Sequence, residues 1–139
     1  MARSAKPSFA GSNPARASLI NQFHVIMQLL TRISLSELKN MAAAMYGNLI
    51  KADVDVSKRL VIADMEMHAD GEAELLKSGS KQQDLWGINL YPDKFGTPEF
   101  IEFDSMINIK PRQNNMSRGV EDKKTQASIR EIISEVVHE

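Results

Sequence analysis

The sequence contains no cysteine, and this absence removes several kinds of chemistry. Disulfide bonds, a thiolate nucleophile and a cysteine-ligated zinc site are all excluded. The lack of cysteine also fits a reducing compartment, so we expect a cytoplasmic protein. No apolar run approaches the ~20 residues that a membrane helix needs. The chain has 139 residues, which fits one domain and leaves little room for a second.

The common catalytic and cofactor-binding motifs are also missing. The sequence has no HExxH, no GxSxG, no phosphate-binding glycine loop and no dinucleotide fingerprint. No cofactor is therefore expected. The absence of a catalytic motif favours a protein that is not an enzyme, although it leaves that question open.

The charge distribution argues against general binding to nucleic acid or to anionic membranes. The chain has 17 basic and 18 acidic residues, and residues 1–26 contain three of the basic ones and no acid. Residues 27–139 therefore carry 14 basic and 18 acidic residues, a net charge of −4. A domain with this balance repels polyanions except at a local basic patch.

The first 26 residues differ from the rest of the chain. They are mainly small and polar and lack a periodic apolar pattern, so we predict a disordered tail. A second interpretation is a mis-assigned start. The codons for Gly11-Ser12-Asn13-Pro14 accommodate GGTTCGAATCC, which is typical of a tRNA gene, and translation would then begin at Met27. Residues 27–139 are predicted to form a single α+β domain.

Local signals predict three helices. Ser34-Leu35-Ser36-Glu37 has the form of a capping box, and apolar residues follow it at 3- and 4-residue spacing. Asp70 is predicted to cap a short helix over residues 71–77. A third helix is predicted over residues 122–137. Its apolar stripe consists of Ile129, Ile132, Ile133, Val136 and Val137.

Alternating apolar and polar residues predict the strands. Residues 50–56 and the more apolar residues 60–67 are expected to form a hairpin. Residues 85–91 and 99–110 provide further extended segments, and Ser105 marks a bulge or a bend into a fifth strand. The predicted order is α-β-β-α-β-β(-β)-α. This is an α+β fold with an antiparallel sheet of four to five strands and three helices packed on one face.

His68 and Asp70 are the candidate catalytic residues. With Glu72 they occupy alternate positions, and on an extended chain they would point the same way, as metal ligands or as a base with its orienting carboxylate. The simpler interpretation makes Asp70 a helix cap, Glu72 a partner of the helix dipole and His68 a packing residue. A helix beginning at Asp70 would break the alternate geometry, so no metal site is predicted.

The polar loop over residues 110–119 is the main candidate for ligand binding. It carries three basic groups, three side-chain amides and a hydroxyl, which suit a phosphate, a carboxylate or an RNA backbone. The alternative is a solvated connector held by its own side-chain-to-backbone hydrogen bonds. Asn108 is predicted to point into the same space, and Asn89 to face Asn108 across the sheet. The predicted ligand-binding residues are Asn89, Asn108, Arg112, Gln113, Asn115, Ser117 and Arg118.

Three segments together resemble a small bacterial family of unknown function. They are WGINLYP at residues 86–92, FIEFDSMINI at residues 100–109 and SRGVED at residues 117–122. The resemblance covers about residues 29–137. It implies a single domain that begins near Met27, and it implies no assigned activity.

The loop departs from the family pattern in one respect. The family has Arg-Pro-Ser-Gln-Gly-Asn-Arg-Ser-Arg, whereas residues 110–118 of this chain read Lys-Pro-Arg-Gln-Asn-Asn-Met-Ser-Arg. One basic residue is shifted and one is replaced by Met116, which weakens any requirement for a fixed arginine geometry. The resemblance therefore implies that Gln113, Asn115, Ser117 and Arg118 are the best polar candidates.

The sequence supports three functional hypotheses. The leading one is a non-catalytic binding module for a protein or a small anionic ligand, and open sheet edges leave a homodimer open. The second is a small enzyme in which His68 is the general base, Asp70 orients it and Arg118 stabilises negative charge. The third is a weak RNA binder, which the negative charge of residues 27–139 disfavours.

Overall fold

A computed structural model describes residues 27–139, and the predicted tail and its sequence lie outside the described residues. Residues 27–139 form seven strands, three α-helices and several short 3-10 turns. The strands are β1 Gln28–Leu30, β2 Ile33–Ser34, β3 Ile50–Asp55, β4 Leu60–Ala63, β5 Leu85–Leu90, β6 Ile101–Glu102 and β7 Val137–His138. The helices are α1 Leu35–Met45, α2 His68–Lys77 and α3 Lys123–Val136.

Five of the strands form one antiparallel sheet in the order β1-β4-β3-β5-β6. Strands β2 and β7 form a separate two-stranded parallel sheet, which joins the end of α3 to the start of α1. The predicted α+β class, with three helices and an antiparallel sheet, is confirmed. Strand β1 was not predicted, since its short apolar stretch has no alternating pattern.

Both faces of the five-stranded sheet are covered. Ala52, Val54 and Ile88 pack with α1 and α3 in the larger apolar cluster. Ile62 and Leu85, which point to the opposite face, form a second cluster with Leu75 of α2. The expectation that all three helices pack on one face is therefore wrong. Val61, Ile62 and Ala63 are all buried in succession, which is typical of a strand covered on both sides.

The element boundaries follow local chemistry where that chemistry is strong. Ser34 caps α1 through a capping box with Glu37, as predicted. Asp122 caps α3 by accepting a hydrogen bond from the Thr125 N–H. Gly47, with a φ of 92°, lies just beyond the end of α1, where a left-handed residue ends many helices.

Two predicted boundaries are wrong. Helix α2 begins at His68 and its N-cap is Met67, so Asp70 lies in the first turn and does not cap it. The extended segment predicted over residues 99–110 is a strand only at Ile101–Glu102, and a 3-10 turn over Met106–Asn108 follows. After Glu102 the chain leaves the sheet, and the Asn108 side chain then hydrogen-bonds to the edge of β5 where a longer β6 would have paired.

Candidate functional site

An open groove lies between the turn that precedes β5 and the loop that follows the Met106–Asn108 turn. Its volume is about 790 Å3, and it is lined by residues 81–83 and 109–113. Three of these residues are cationic, and none is acidic. Lys81 and Arg112 are exposed, and no ion pair joins either to another residue in the described part of the chain. The groove therefore concentrates positive charge in a domain that is negative overall.

Lys110 forms the inner wall of this groove. Its side chain is nearly buried, its Nζ donates a 2.8 Å hydrogen bond to the Gln82 carbonyl, and Nζ lies 5.1 Å from the centre of the Trp86 ring. Burial lowers the pKa of Lys110, and the nearby carboxyl groups of Glu72 and Asp53 oppose that change. The cation–π contact and the carbonyl both stabilise the charged amine. Lys110 thus joins the two sides of the groove while adding positive charge to it.

Asn108 holds the loop against the edge of β5. Its side-chain amide accepts a hydrogen bond from the Gly87 N–H at 2.7 Å and donates one to the Gly87 carbonyl at 3.0 Å. The same amide donates to the Arg118 carbonyl at 2.8 Å. Asn108 is fully buried, and these contacts satisfy backbone groups that a longer β6 would otherwise pair. Its observed contacts are structural rather than directed at a ligand.

Asn115 and Ser117 have similar structural contacts inside the loop. The Asn115 amide donates to the carbonyls of Asn108 and Gly119, and its Oδ1 accepts from the Glu121 N–H. The Glu121 carboxylate accepts from the Ser117 N–H, and the Ser117 hydroxyl first, and then this N–H, lower the pKa of Glu121. The loop is therefore shaped by its own side-chain-to-backbone hydrogen bonds, one of the alternatives that its sequence left open.

Gln113 and Arg112 are the predicted ligand-binding residues that the structure brings into the groove. The Gln113 side chain donates to the Gln83 carbonyl at 3.1 Å and so links the loop to the opposite wall. Arg112 is exposed and follows Pro111 in a short 3-10 turn. Lys81, Gln82 and Gln83 were not predicted, since nothing in their local sequence indicates that they meet a loop about 30 residues away.

Arg118 lies outside the groove and pairs with Asp104. Its Nε donates a 2.6 Å hydrogen bond to the Asp104 carboxylate, which raises the pKa of Arg118. About half of each side chain remains exposed. This pair is close enough to His68 for both charges to affect the His68 pKa. Arg118 is therefore paired away from the groove, which Arg112 and Gln113 line.

His68 is held over β5 by the backbone of that strand. Its Nε2 lies 2.8 Å from the Ile88 carbonyl, and because a carbonyl only accepts, Nε2 carries the proton and Nδ1 has the lone pair. Burial is the main cause of a lowered His68 pKa. Gly87 makes room for the ring, since a Cβ there would lie 3.0 Å from its Cδ2. The group that orients the ring is thus the Ile88 carbonyl and not the Asp70 carboxylate.

Asn89 hydrogen-bonds to Glu102, whereas the sequence predicted that Asn89 faces Asn108. The Asn89 amide donates to the Glu102 carboxylate at 2.9 Å, and the Tyr91 hydroxyl donates to the same oxygen. The Asn89 Oδ1 is buried and has no hydrogen-bond partner. The expectation was wrong because β6, rather than the segment around Asn108, pairs with β5 at this position.

Asp53 is a buried carboxyl group in β3, although the alternating pattern of residues 50–56 predicts that its side chain faces solvent. It is fully buried, and neither of its oxygens has a hydrogen bond of ordinary geometry, although the Glu72 N–H lies close enough to oppose the rise in its pKa. Burial first, and then the charges of Glu72 and Asp70, raise the pKa of Asp53 well above its usual range. Its misplacement follows from α2, which covers the face that the alternating pattern predicted to be solvated.

Within residues 27–139, no cluster of three or more His, Asp or Glu side chains has the geometry to hold a metal ion. His68, Asp70 and Glu72 lie in one helix, so the alternate spacing of an extended chain does not apply to them. No helix in the described part of the chain is both long enough and apolar enough to cross a membrane.

The fold and the loop define a small single-domain α+β protein in which a side-chain-braced loop forms a cationic groove. The chain belongs to a family described as a protein of unknown function (DUF5674), whose pattern matches residues 25–136. The resemblance to a family of unknown function, predicted from the three sequence segments, is thereby confirmed. Neither a curated protein nor a solved structure matches the chain.

Proposed function

We propose that this protein is a binding module whose ligand carries negative charge and occupies the groove lined by residues 81–83 and 109–113. The observation that carries the proposal is the lining of the groove, which contains Lys81, Lys110 and Arg112 and no carboxylate. Arg112 offers a planar fork of donors, and Lys81 offers a compact charge, which together suit a phosphate or a carboxylate.

The dimensions of the groove also support a binding role. Its volume of about 790 Å3 falls within the range of pockets that hold small molecules or peptide side chains, about 300–1,000 Å3. The walls are fixed to each other by the Lys110–Gln82 and Gln113–Gln83 hydrogen bonds. A preformed site loses less conformational entropy when it binds a ligand.

The test is isothermal titration of the full chain with inorganic phosphate, citrate and AMP. Arg112→Ala and Lys81→Ala should each weaken the binding of any ligand by about tenfold, since each removes a charged donor. Lys123→Ala is the matched control, because Lys123 is exposed at the start of α3 and outside the groove. Arg118→Ala should also leave binding unchanged. The absence of binding by all three anions, or an equal loss in the Lys123→Ala control, would contradict a specific anion site.

A second candidate function is a small enzyme that uses His68 as a general base. The supporting observation is the fixed His68 ring, whose Nδ1 carries the lone pair and whose lowered pKa keeps it neutral near pH 7. In this proposal Arg118, whose charge contributes, after burial, to lowering the His68 pKa, stabilises developing negative charge. The test compares hydrolysis of p-nitrophenyl acetate and p-nitrophenyl phosphate by the parent and by His68→Gln. Equal rates in the two proteins would remove hydrolysis of these esters from consideration.

A further inference from the structure

Three large apolar side chains are exposed beside the cationic groove. Met106, Ile109 and Met116 are 64%, 39% and 66% exposed, although their loop is otherwise polar. Neither Met106 nor Met116 has a packing role in the apolar clusters of the domain, and Met116 stands where the family has an arginine. We call these three residues the apolar strip.

Local geometry makes the apolar strip continuous. Met106 begins a 3-10 turn that ends at Asn108, and in such a turn side chains three residues apart eclipse each other, so Met106 and Ile109 share a side. Lys110 and Asn115 form an antiparallel bridge. Their neighbours Ile109 and Met116 therefore lie opposite each other, on the face away from the buried Lys110 and Asn115 side chains.

The apolar strip and the cations form one surface. Ile109 belongs both to the strip and to the lining of the groove, where Lys81 and Arg112 are the exposed cations. An apolar row next to a basic groove complements a ligand that has both acidic and large apolar groups. Methionine side chains are flexible and polarizable, and they are used widely at surfaces that bind varied apolar side chains.

We propose that the ligand of this groove is an acidic segment of a partner protein, with carboxylates that meet Lys81 and Arg112 and apolar side chains that cover the apolar strip. This inference rests on the proposed function and names its class of partner. A small inorganic anion would leave the strip uncovered. A single-stranded nucleic acid would lack a stacking platform, since no aromatic residue lines the groove.

The experiment measures fluorescence anisotropy with two labelled peptides of equal charge. The first has the sequence Asp-Glu-Leu-Asp-Asp-Phe-Asp-Leu, and in the second serine replaces leucine and phenylalanine. The full-length parent should bind the first peptide at least tenfold more tightly than the second, because only the first covers the strip. Met106→Ser with Met116→Ser should abolish that preference. Arg112→Ala should weaken the binding of both peptides.

Met45→Ser is the matched control, because Met45 is an exposed methionine at the end of α1 that belongs neither to the apolar strip nor to the lining of the groove. It should keep the full preference for the first peptide. If the protein binds phosphate but binds the two peptides with equal affinity, this inference is overturned and the proposed anion site still stands. No binding of phosphate or of either peptide would overturn both. Tighter binding of a labelled RNA oligonucleotide than of the first peptide, with a steep loss in salt, would replace the peptide with a nucleic acid.

Discussion

At the scale of single residues, Asn108 shows how a side chain can substitute for a strand. Its amide has the same donor and acceptor as a peptide group, and it pairs with both the N–H and the carbonyl of Gly87. Strand β6 ends at Glu102, so Gly87 has no backbone partner on that edge of β5. The third hydrogen bond, to the Arg118 carbonyl, places the far end of the loop. The shape of the groove therefore depends on this residue.

We predict that Asn108→Ala lowers the free energy of unfolding by about 2–4 kcal/mol, since it leaves the buried N–H and carbonyl of Gly87 without partners and removes one of the two hydrogen bonds to the Arg118 carbonyl. Asn108→Asp should cost at least as much, because it keeps an acceptor but places a second acceptor against two carbonyls. Urea denaturation of both variants measures the effect. Asn40→Ala, at an exposed position of α1, should change the stability by less than about 0.5 kcal/mol. Near-parental stability of Asn108→Asp would show that the amide donor is unimportant.

Asp53 is an ionisable carboxyl group in a fully buried position, where its charged form is unfavourable. The unfolded chain ionises Asp53 near its usual pKa, whereas burial and the charges of Glu72 and Asp70 raise its pKa in the folded protein. As the pH rises above about 4, the unfolded state releases a proton that the folded state retains, so the stability falls until the pH passes the folded pKa. Asp53 is therefore destabilising at neutral pH and almost neutral in effect at acid pH.

Asp53→Asn is expected to be more stable than the parent at pH 7, since an amide is uncharged and removes the buried carboxyl whose ionisation is opposed by burial and by the charge of Glu72. The advantage should shrink as the pH falls toward 4, where the unfolded parent also becomes protonated. Urea denaturation of both proteins between pH 4 and pH 8 gives the difference. The lowered pKa of His68 has the opposite effect, a loss of stability as the pH falls below about 6.5, but it is common to both proteins and cancels. A difference that does not depend on pH would disprove the assignment to Asp53.

At the scale of secondary structure, Gly71 in the interior of α2 allows this helix to approach β3 closely. A Cβ at Gly71 would lie 2.5 Å from the Asp53 Oδ2 and 2.4 Å from the Met65 Cε. Glycine disfavours a helix interior by about 1 kcal/mol relative to alanine. The helix tolerates this cost because its close approach to β3 buries Leu75 in the second apolar cluster.

Gly71→Ala should therefore lower the stability by about 1–3 kcal/mol, although the substitution raises helix propensity. Combining it with Asp53→Ala should restore part of that loss, because the smaller residue removes one of the two close contacts. Stability is measured by thermal or urea denaturation as a double-mutant cycle. Ala73→Gly is the reverse change at an exposed position of α2 and should cost about 1 kcal/mol by propensity alone. If Gly71→Ala lowers the stability by the same amount in the parent and in the Asp53→Ala variant, the two residues do not interact.

Elements with a local cause were predictable from the sequence, and those with a distant cause were not. The capping box at Ser34 and the apolar stripe of the last helix are local signals, and both helices lie close to their predicted positions. Glu99–Lys110 reads as extended, yet Asn108 turns away because Gly87 offers it two hydrogen bonds. The groove combines Arg112 and Gln113, which the loop composition indicated, with Lys81, which only tertiary contact reveals.

At the scale of the whole molecule, the sheet separates two kinds of interior. The face toward α1 and α3 is apolar except for Gln28 of β1, whereas the face toward α2 includes Asp53, Gly87 and Asn89 beside a smaller apolar cluster. The first face accounts for most of the buried apolar area, which is the main source of stability. The second carries the buried polar groups Asp53 and Asn89, so substitutions there change stability through unpaired polar atoms as well as through packing.

The described fold leads us to expect that residues 27–139 are sufficient for folding. The first strand begins at Gln28, Met27 packs against the second apolar cluster, and the parallel pairing of Ile33 with Val137 joins the two ends of this region. The full chain and a chain that starts at Met27 should have free energies of unfolding within about 0.5 kcal/mol and the same dependence on urea, since that dependence scales with the surface exposed on unfolding. Urea denaturation followed by circular dichroism compares them. Mass spectrometry of the native protein tests the related proposal of a start at Met27. A steeper urea dependence in the full chain would mean that residues 1–26 bury surface against the domain, and a native peptide from residues 1–20 would rule out the later start.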